Sequence, residues 1–182
     1  MHRVMLLCYG HLYRSVSYLP ATVICGWMPL KYTVAIRTEM HQMKNKKKTH
    51  LRRGSILRTS HMTSIATSYE MYEALYKIAL QLWQYEWDNS SKGLWTKHLI
   101  ETASENEVPN ISKWMSQALS GHGVFGKYLH RFMGRATAVC QCGSPTESPT
   151  HIFTECSNFA VGRPPVLNIG EGHTRNYLIR TV

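Results

Sequence analysis

Apolar residues recur at three- and four-residue spacing through successive stretches of this chain, the period of amphipathic helices. From Arg3 to Tyr13 the repeat is carried by Val4, Leu7, Cys8 and Leu12. Ser15 or Ser17 can cap a second helix, with Pro20 in its first turn, where a missing N–H costs little. Ala21, Val23, Ile24 and Cys25 continue it until Gly26 and Pro29 stop it. The pattern predicts a short helical hairpin leading into a third helical segment from Leu30 to Met43. Cys8 and Cys25, alone on apolar helical faces, read as small core residues.

After a Ser/Thr-rich, weakly patterned stretch from Ile56 to Ser68, Tyr72, Leu75, Tyr76, Ala79, Leu82 and Trp83 mark a longer helix starting near Tyr69. Trp83 and Trp87 are four apart and can share one side. Such an aromatic stripe is core in most proteins, although it can also stack on the bases of a single strand. Asp88 to Gly93 reads as a turn, and Trp95 to Ile100 as a renewed apolar run. Pro109 and Asn110 open a helix through Ile111, Trp114, Met115, Ala118 and Leu119, which Gly121-His122-Gly123 breaks. That glycine pair lacks the length and the Lys-Ser/Thr of a phosphate loop and reads as a tight helix–helix corner. A short helix, Val124 to Phe132, follows. The tail holds Pro164, Pro165, Gly170 and Gly172 and ends in a short helical stretch at Thr174 to Arg180.

Charge changes this picture in one region. Residues 1–68 carry eleven Lys/Arg against one acid, Glu39, whereas residues 69–182 carry ten of each, so the whole net charge of +10 lies in the first part. It peaks at Lys44, Lys46, Lys47, Lys48, Arg52, Arg53 and Arg58, with no acid between them. Cations so dense lack internal partners. They suit either a polyanion such as nucleic-acid phosphate or a solvated linker or localisation signal. At 182 residues the chain has room for one ordinary domain or two small ones. An odd, clustered set of five cysteines argues against a disulfide framework and for a reducing, intracellular setting, nuclear or cytoplasmic. No apolar stretch is long enough to span a membrane, and the short run after Arg3 fits a helix better than a signal peptide.

The densest chemistry is Cys140-x-Cys142, eight residues, His151, four residues, Cys156. Three thiols and an imidazole within seventeen residues can enclose one tetrahedral Zn²⁺ as a closed structural site. The intervening Gly143, Ser144, Pro145, Thr146, Ser148 and Pro149 turn readily and offer little to a core, so the ion would supply folding energy that this segment lacks. The bland alternative is three unrelated cysteines and a surface histidine, against which the clustering argues. Four protein ligands leave no open coordination position for catalysis. A zinc deaminase would need His-x-Glu and Pro-Cys-x-x-Cys, and neither occurs. Among ten histidines a chance Cys–His pair is easily found, so a cysteine hydrolase is not favoured.

Residues 82–100 (LWQYEWDNSSKGLWTKHLI), 119–132 (LSGHGVFGKYLHRF) and 140–156 (CQCGSPTESPTHIFTEC), in that order and spacing, resemble the C-terminal region of the reverse-transcriptase polyprotein of arthropod non-LTR retrotransposons. Residues 12–30 (LYRSVSYLPATVICGWMPL) are similar to the helical segment upstream of it. The resemblance covers most of residues 3–160 and is poorest in the basic middle. It implies a region beyond the endonuclease and the polymerase, associated with gripping RNA or DNA, whose carried-over residues are the four metal ligands. The missing polymerase portion of the same polyprotein would be a further partner. A lysine run replaces the more evenly charged helix of relatives. Two-metal phosphoryl transfer needs several converging carboxylates, and Asp88 is the sole aspartate. The expected organisation is mainly α, with short helices in hairpins. A helical segment spans 1–43, a basic linker 44–68, a Trp/Tyr-rich helical region 69–139, a zinc knuckle 140–160 and a tail 161–182. The expected function is a non-catalytic, nucleic-acid-binding zinc module with no small-molecule substrate or membrane partner. The alternative is a structural or decayed remnant without activity.

Overall fold

The computed structural model of the chain describes residues 1–52, 67–104 and 111–161, the side chains of 46–52 excepted. Among the described residues the regular structure is helical, with no strand. The order is α1 (His2–Tyr9), α2 (Tyr18–Cys25), α3 (Leu30–Arg52), α4 (Ser68–Asn89), α5 (Leu94–Leu99), α6 (Lys113–Ser120) and α7 (Gly126–Met133). A π-helical turn (His151–Glu155) and a 3₁₀ turn (Ser157–Phe159) follow. Two compact units result, one of residues Met1–Trp27 with Trp87–Val182, the other of Met28–Glu86.

In the first unit α2 packs on α1 and α6, and α6 packs on α5. Pro20 through Cys25 are all buried, which makes α2 the central element. Ser17 precedes it in extended backbone, although its side chain makes no capping bond, and Gly26 ends it in the left-handed conformation that glycine tolerates. Other buried apolar residues of this unit include Leu6, Val16, Ile100, Met115, Leu119 and Phe125. Cys25 donates to the Leu6 carbonyl at 3.5 Å, and burial pushes its thiol up to about 11, so it is an inert core residue as expected. Cys8 is instead exposed. Its helix spans only His2–Tyr9 and buries Leu6 alone, so a face apolar in sequence is turned outward.

The corner at residues 121–123 is built as its glycines suggest. Gly121 (φ 68°) stops α6, and a Cβ there would lie 2.9 Å from Trp95. Gly123 (φ 126°) leaves room for Gln117, whose Oε1 accepts from the Val124 N–H at 3.1 Å and would meet a Cβ at 2.3 Å. The α6 helix begins at Lys113, where Ser112 accepts from the Met115 N–H at 3.1 Å. Residues 109–110, where a start was expected, lie outside the described residues, as do Thr174 to Arg180 and all but the end of Ile56 to Ser68. Among the described residues the last α-helix, α7, begins at Gly126 rather than Val124, which is exposed.

Trp87, at 1% exposure, donates its indole N–H to the Ile100 carbonyl at 3.0 Å. Beside it α4 continues through Asn89, so Asp88 is helical rather than in a turn. Lys97 closes this end of the helix by donating to the carbonyls of Asp88 and Ser90 at 3.0 and 2.6 Å.

In the second unit the buried apolar residues include Ile36, Ala79 and Trp83. Trp83 and Trp87 are thus both buried, but the buried stripe of α4 steps by four through Ala79, Trp83 and Trp87. Tyr72, Tyr76 and Leu82, expected on that face, are exposed. The first two stack on each other instead, rings 5.9 Å apart. An ion pair joins Lys31 to Glu86 at the surface, where such pairs contribute little. The third helix, α3, runs through Arg52 rather than ending near Met43.

Candidate metal centre

The loop after α7 is folded by its own turns. Gly143 donates to the Cys140 carbonyl at 3.0 Å, Cys140 to the Ser144 carbonyl at 2.9 Å and Glu147 to the Ala138 carbonyl at 2.7 Å. Ser148 Oγ then accepts from the N–H of His151, the first residue of the π-helical turn, at 3.1 Å. Its closing bond runs from the Cys156 N–H to the His151 carbonyl at 2.8 Å. This i to i+5 closure brings His151 and Cys156, five residues apart, round toward the same side, which the tighter α pitch would not.

The result is a cluster in which the donor atoms of Cys140, Cys142, His151 and Cys156 all lie within 4.8 Å of one another. Cys140 Sγ is 3.7 Å from Cys156 Sγ, and Cys142 Sγ is 3.1 Å from His151 Nε2. A tetrahedral ion with metal–sulfur bonds of about 2.3 Å spaces its sulfurs about 3.8 Å apart, so the thiol pair already stands at a ligand-to-ligand distance. Cys140, His151 and Cys156 are buried and Cys142 is half-buried. These four residues sit close enough to hold a metal ion.

Their surroundings suit that task. The backbone N–H of Ser144, followed by the side chains of Cys140, His151 and Cys156, lowers the Cys142 thiol to about 7, close to the thiolate a metal requires. At Cys140 the Cys142 backbone N–H pulls downward, but burial and the crowding of the Cys142 and Cys156 thiols outweigh it, and the net shift is upward. Glu155 Oε2 lies 3.4 Å from His151 Nδ1, on the side of the ring away from the thiols. Carboxylates commonly orient a ligating histidine from this position. Glu155 was missed in the sequence, yet its signal is there, since it falls four residues after His151 on one short helical turn.

The loop is fastened to the helices at two places. Glu147 accepts at its carbonyl from the Lys127 N–H at 2.9 Å, and its carboxylate pairs with Arg135 at 3.1 Å in a half-buried setting. Phe153, between two ligands, stacks on Trp95 with ring centroids 5.9 Å apart and touches Phe125 at 6.1 Å. Trp95 itself donates to the Ala118 carbonyl at 2.7 Å.

Of the basic candidates, Lys44 alone has a described side chain. Lys44 is exposed on α3. Lys46, Lys47, Lys48 and Arg52 belong to the same helix with their side chains outside the described residues, as Arg53 and Arg58 are entirely. Among the described residues no single helix is long and apolar enough to cross a membrane.

Comparison with known proteins finds relatives over most of the chain. No family model matches the chain, and no solved structure matches it significantly. A Pol polyprotein from type-1 retrotransposable element R1 4 of Nasonia vitripennis is 25% identical over 171 residues, which cover 92% of this chain and 42% of that protein. Another from the Nasonia vitripennis element R1 2 is 27% identical over 158 residues, covering 80% of this chain and 36% of the relative. The R1 polyprotein of Bradysia coprophila is 36% identical over 87 residues, 46% of this chain but 9% of the relative. The chain therefore spans well under half the length of these relatives. Set beside the Cys/His cluster, the matches identify it as a homologue of part of the R1 retrotransposon Pol polyproteins of arthropods.

Proposed function

We propose that the chain is a non-catalytic, zinc-ordered module of a retrotransposon Pol polyprotein that binds RNA or DNA inside the cell. The observation that carries this reading is the four-donor cluster, with its tetrahedral thiol spacing, in a homologue of Pol polyproteins. A three-thiol, one-imidazole donor set favours Zn²⁺ over harder divalent ions, which prefer oxygen ligands. Cys140, Cys142, His151 and Cys156 would hold one ion, which would staple the loop and leave no position for a reacting water. The single aspartate argues against two-metal chemistry. A net charge of +10 concentrated before residue 69 supplies the phosphate-binding potential, with Lys44, Lys46, Lys47, Lys48, Arg52, Arg53 and Arg58 at its centre.

Two measurements on the purified chain test this. Elemental analysis should find one zinc per chain, lost when Cys140 and Cys156 are both replaced by Ser. Affinity for a single-stranded oligonucleotide should fall steeply with salt, with several phosphates neutralised. Absence of binding at low salt would remove the nucleic-acid role and leave a purely structural module.

A further inference from the structure

A cavity of about 390 Å³ in the first unit has a composition that neither the metal cluster nor the basic run accounts for. Lys92, Lys127 and Arg131 line it. All three are exposed, and none is ion-paired with a carboxylate among the described residues. No carboxylate lines the cavity either. Three uncompensated cations around one concavity raise the local potential for an anion.

Ser15 and His122 also line the cavity. Ser15 Oγ lies 3.0 Å from His122 Nδ1 and 2.8 Å from the Tyr128 hydroxyl. This triad joins the loop after α1 to the corner before α7 across more than a hundred residues. The imidazole stacks on Tyr128 at 5.0 Å and lies 6.4 Å from Phe132. Phe132 is 49% exposed, and the Arg131 guanidinium lies 5.0 Å from its ring centre. An exposed ring beside a guanidinium is the kind of platform on which a nucleobase stacks, whereas an isolated phosphate site needs no ring.

We infer that this cavity binds one nucleotide of a single-stranded nucleic acid, with Lys127 and Arg131 on its phosphate, Lys92 adding charge, and the base against Phe132. The inference rests on the nucleic-acid reading given above and assigns residues to it that lie far in sequence from the basic run. The volume falls within the roughly 300–1,000 Å³ of small-ligand sites and is too small for a duplex. Burial and the nearby Arg131 favour the neutral imidazole of His122, and a phosphate in the cavity would offset both influences.

The test uses the full, zinc-loaded chain, labelled oligouridine and uridine 5′-monophosphate. Lys127→Ala with Arg131→Ala should lower the slope of log affinity against log salt by about two, one for each lost phosphate contact. Phe132→Ala should weaken oligouridine binding by about tenfold, and Phe132→Tyr should restore it. Lys113→Ala removes an exposed charge outside the cavity and should leave affinity nearly unchanged. Because the altered side chains are exposed, helical content and zinc retention should match wild type. Uridine monophosphate should shift the His122 and Phe132 resonances with saturation.

Wild-type affinity in both cavity variants would overturn the assignment. So would uridine monophosphate leaving both resonances unmoved, whether or not oligouridine binds elsewhere. If oligouridine fails to bind but the mononucleotide saturates, the polymer-binding reading falls and the cavity stands as a mononucleotide site. A phosphoserine peptide that binds more tightly than the mononucleotide, unaffected by Phe132→Ala, would reassign the cavity to peptides and overturn the proposal.

Discussion

Two side chains other than the thiols, Glu155 beside His151 and His122 beside Tyr128, carry predictions of their own. The Glu155 carboxylate meets His151 and is itself mostly exposed, so Glu155→Gln should leave the fold intact while loosening the histidine. Outer partners of this kind are worth about 10- to 100-fold in metal affinity. Competition with a chromophoric chelator should show a loss in that range, and Glu155→Asp a smaller one. His122 gives a pH signature. Burial and Arg131 lower its pKa from 6.5, so the folded chain protonates less readily than the unfolded chain. The unfolded state then binds more protons, and stability falls as pH drops through and below 6.5. Thermal melts of wild type should show that decline, and His122→Gln should flatten it. An unchanged slope would place the acid sensitivity elsewhere.

Among the elements, α6 offers a clean comparison of two mechanisms. Ser112→Ala removes a cap that satisfies one N–H and should cost about 1 kcal/mol, a drop of a few degrees in Tm. Gly123→Ala drives a Cβ into Gln117 at a φ of 126° and should cost more, about 2 kcal/mol, read from denaturant midpoints. Elements with punctuation at both ends were legible in the sequence, as Ser17, Pro20 and Gly26 were for α2. The end of α3 was not, because a lysine run was taken for a spacer. Lys, Met and Gln are good helix formers, and no glycine or proline follows Pro29 until Gly54. On α4 the aromatic spacing was legible, but Tyr72 and Tyr76 fit a three-and-four repeat as well as Ala79 and Trp83 do, and only packing decides between them. That Cys140, Cys142, His151 and Cys156 cluster closely enough to hold a metal could be read from their spacing. The Ser15–His122–Tyr128 contact could not, because nothing local links residues 107 apart in sequence.

At the scale of the whole chain, apolar surface is left uncovered. Tyr69, Ile78, Leu82 and Tyr85 of α4 are each about half exposed or more, as are Trp114 and Met133. Exposed apolar surface of this kind suits packing against a further polypeptide. The metal loop and the helices also differ in what sustains them. The helices bury their own apolar residues, while the loop holds few besides Phe153 and the ligands. Chelation should therefore open residues 140–156 to protease while most far-UV helical signal persists. Simultaneous loss of both would mean that the helices depend on the ion.

Trp95 lies between those two regimes, its indole N–H held by the Ala118 carbonyl and its ring face laid on Phe153. One chromophore thus belongs to the scaffold through its edge and to the loop through its face. Its emission would follow the order in which the two form, and a rapid-mixing experiment could time the closing of the loop separately from the collapse of the helices.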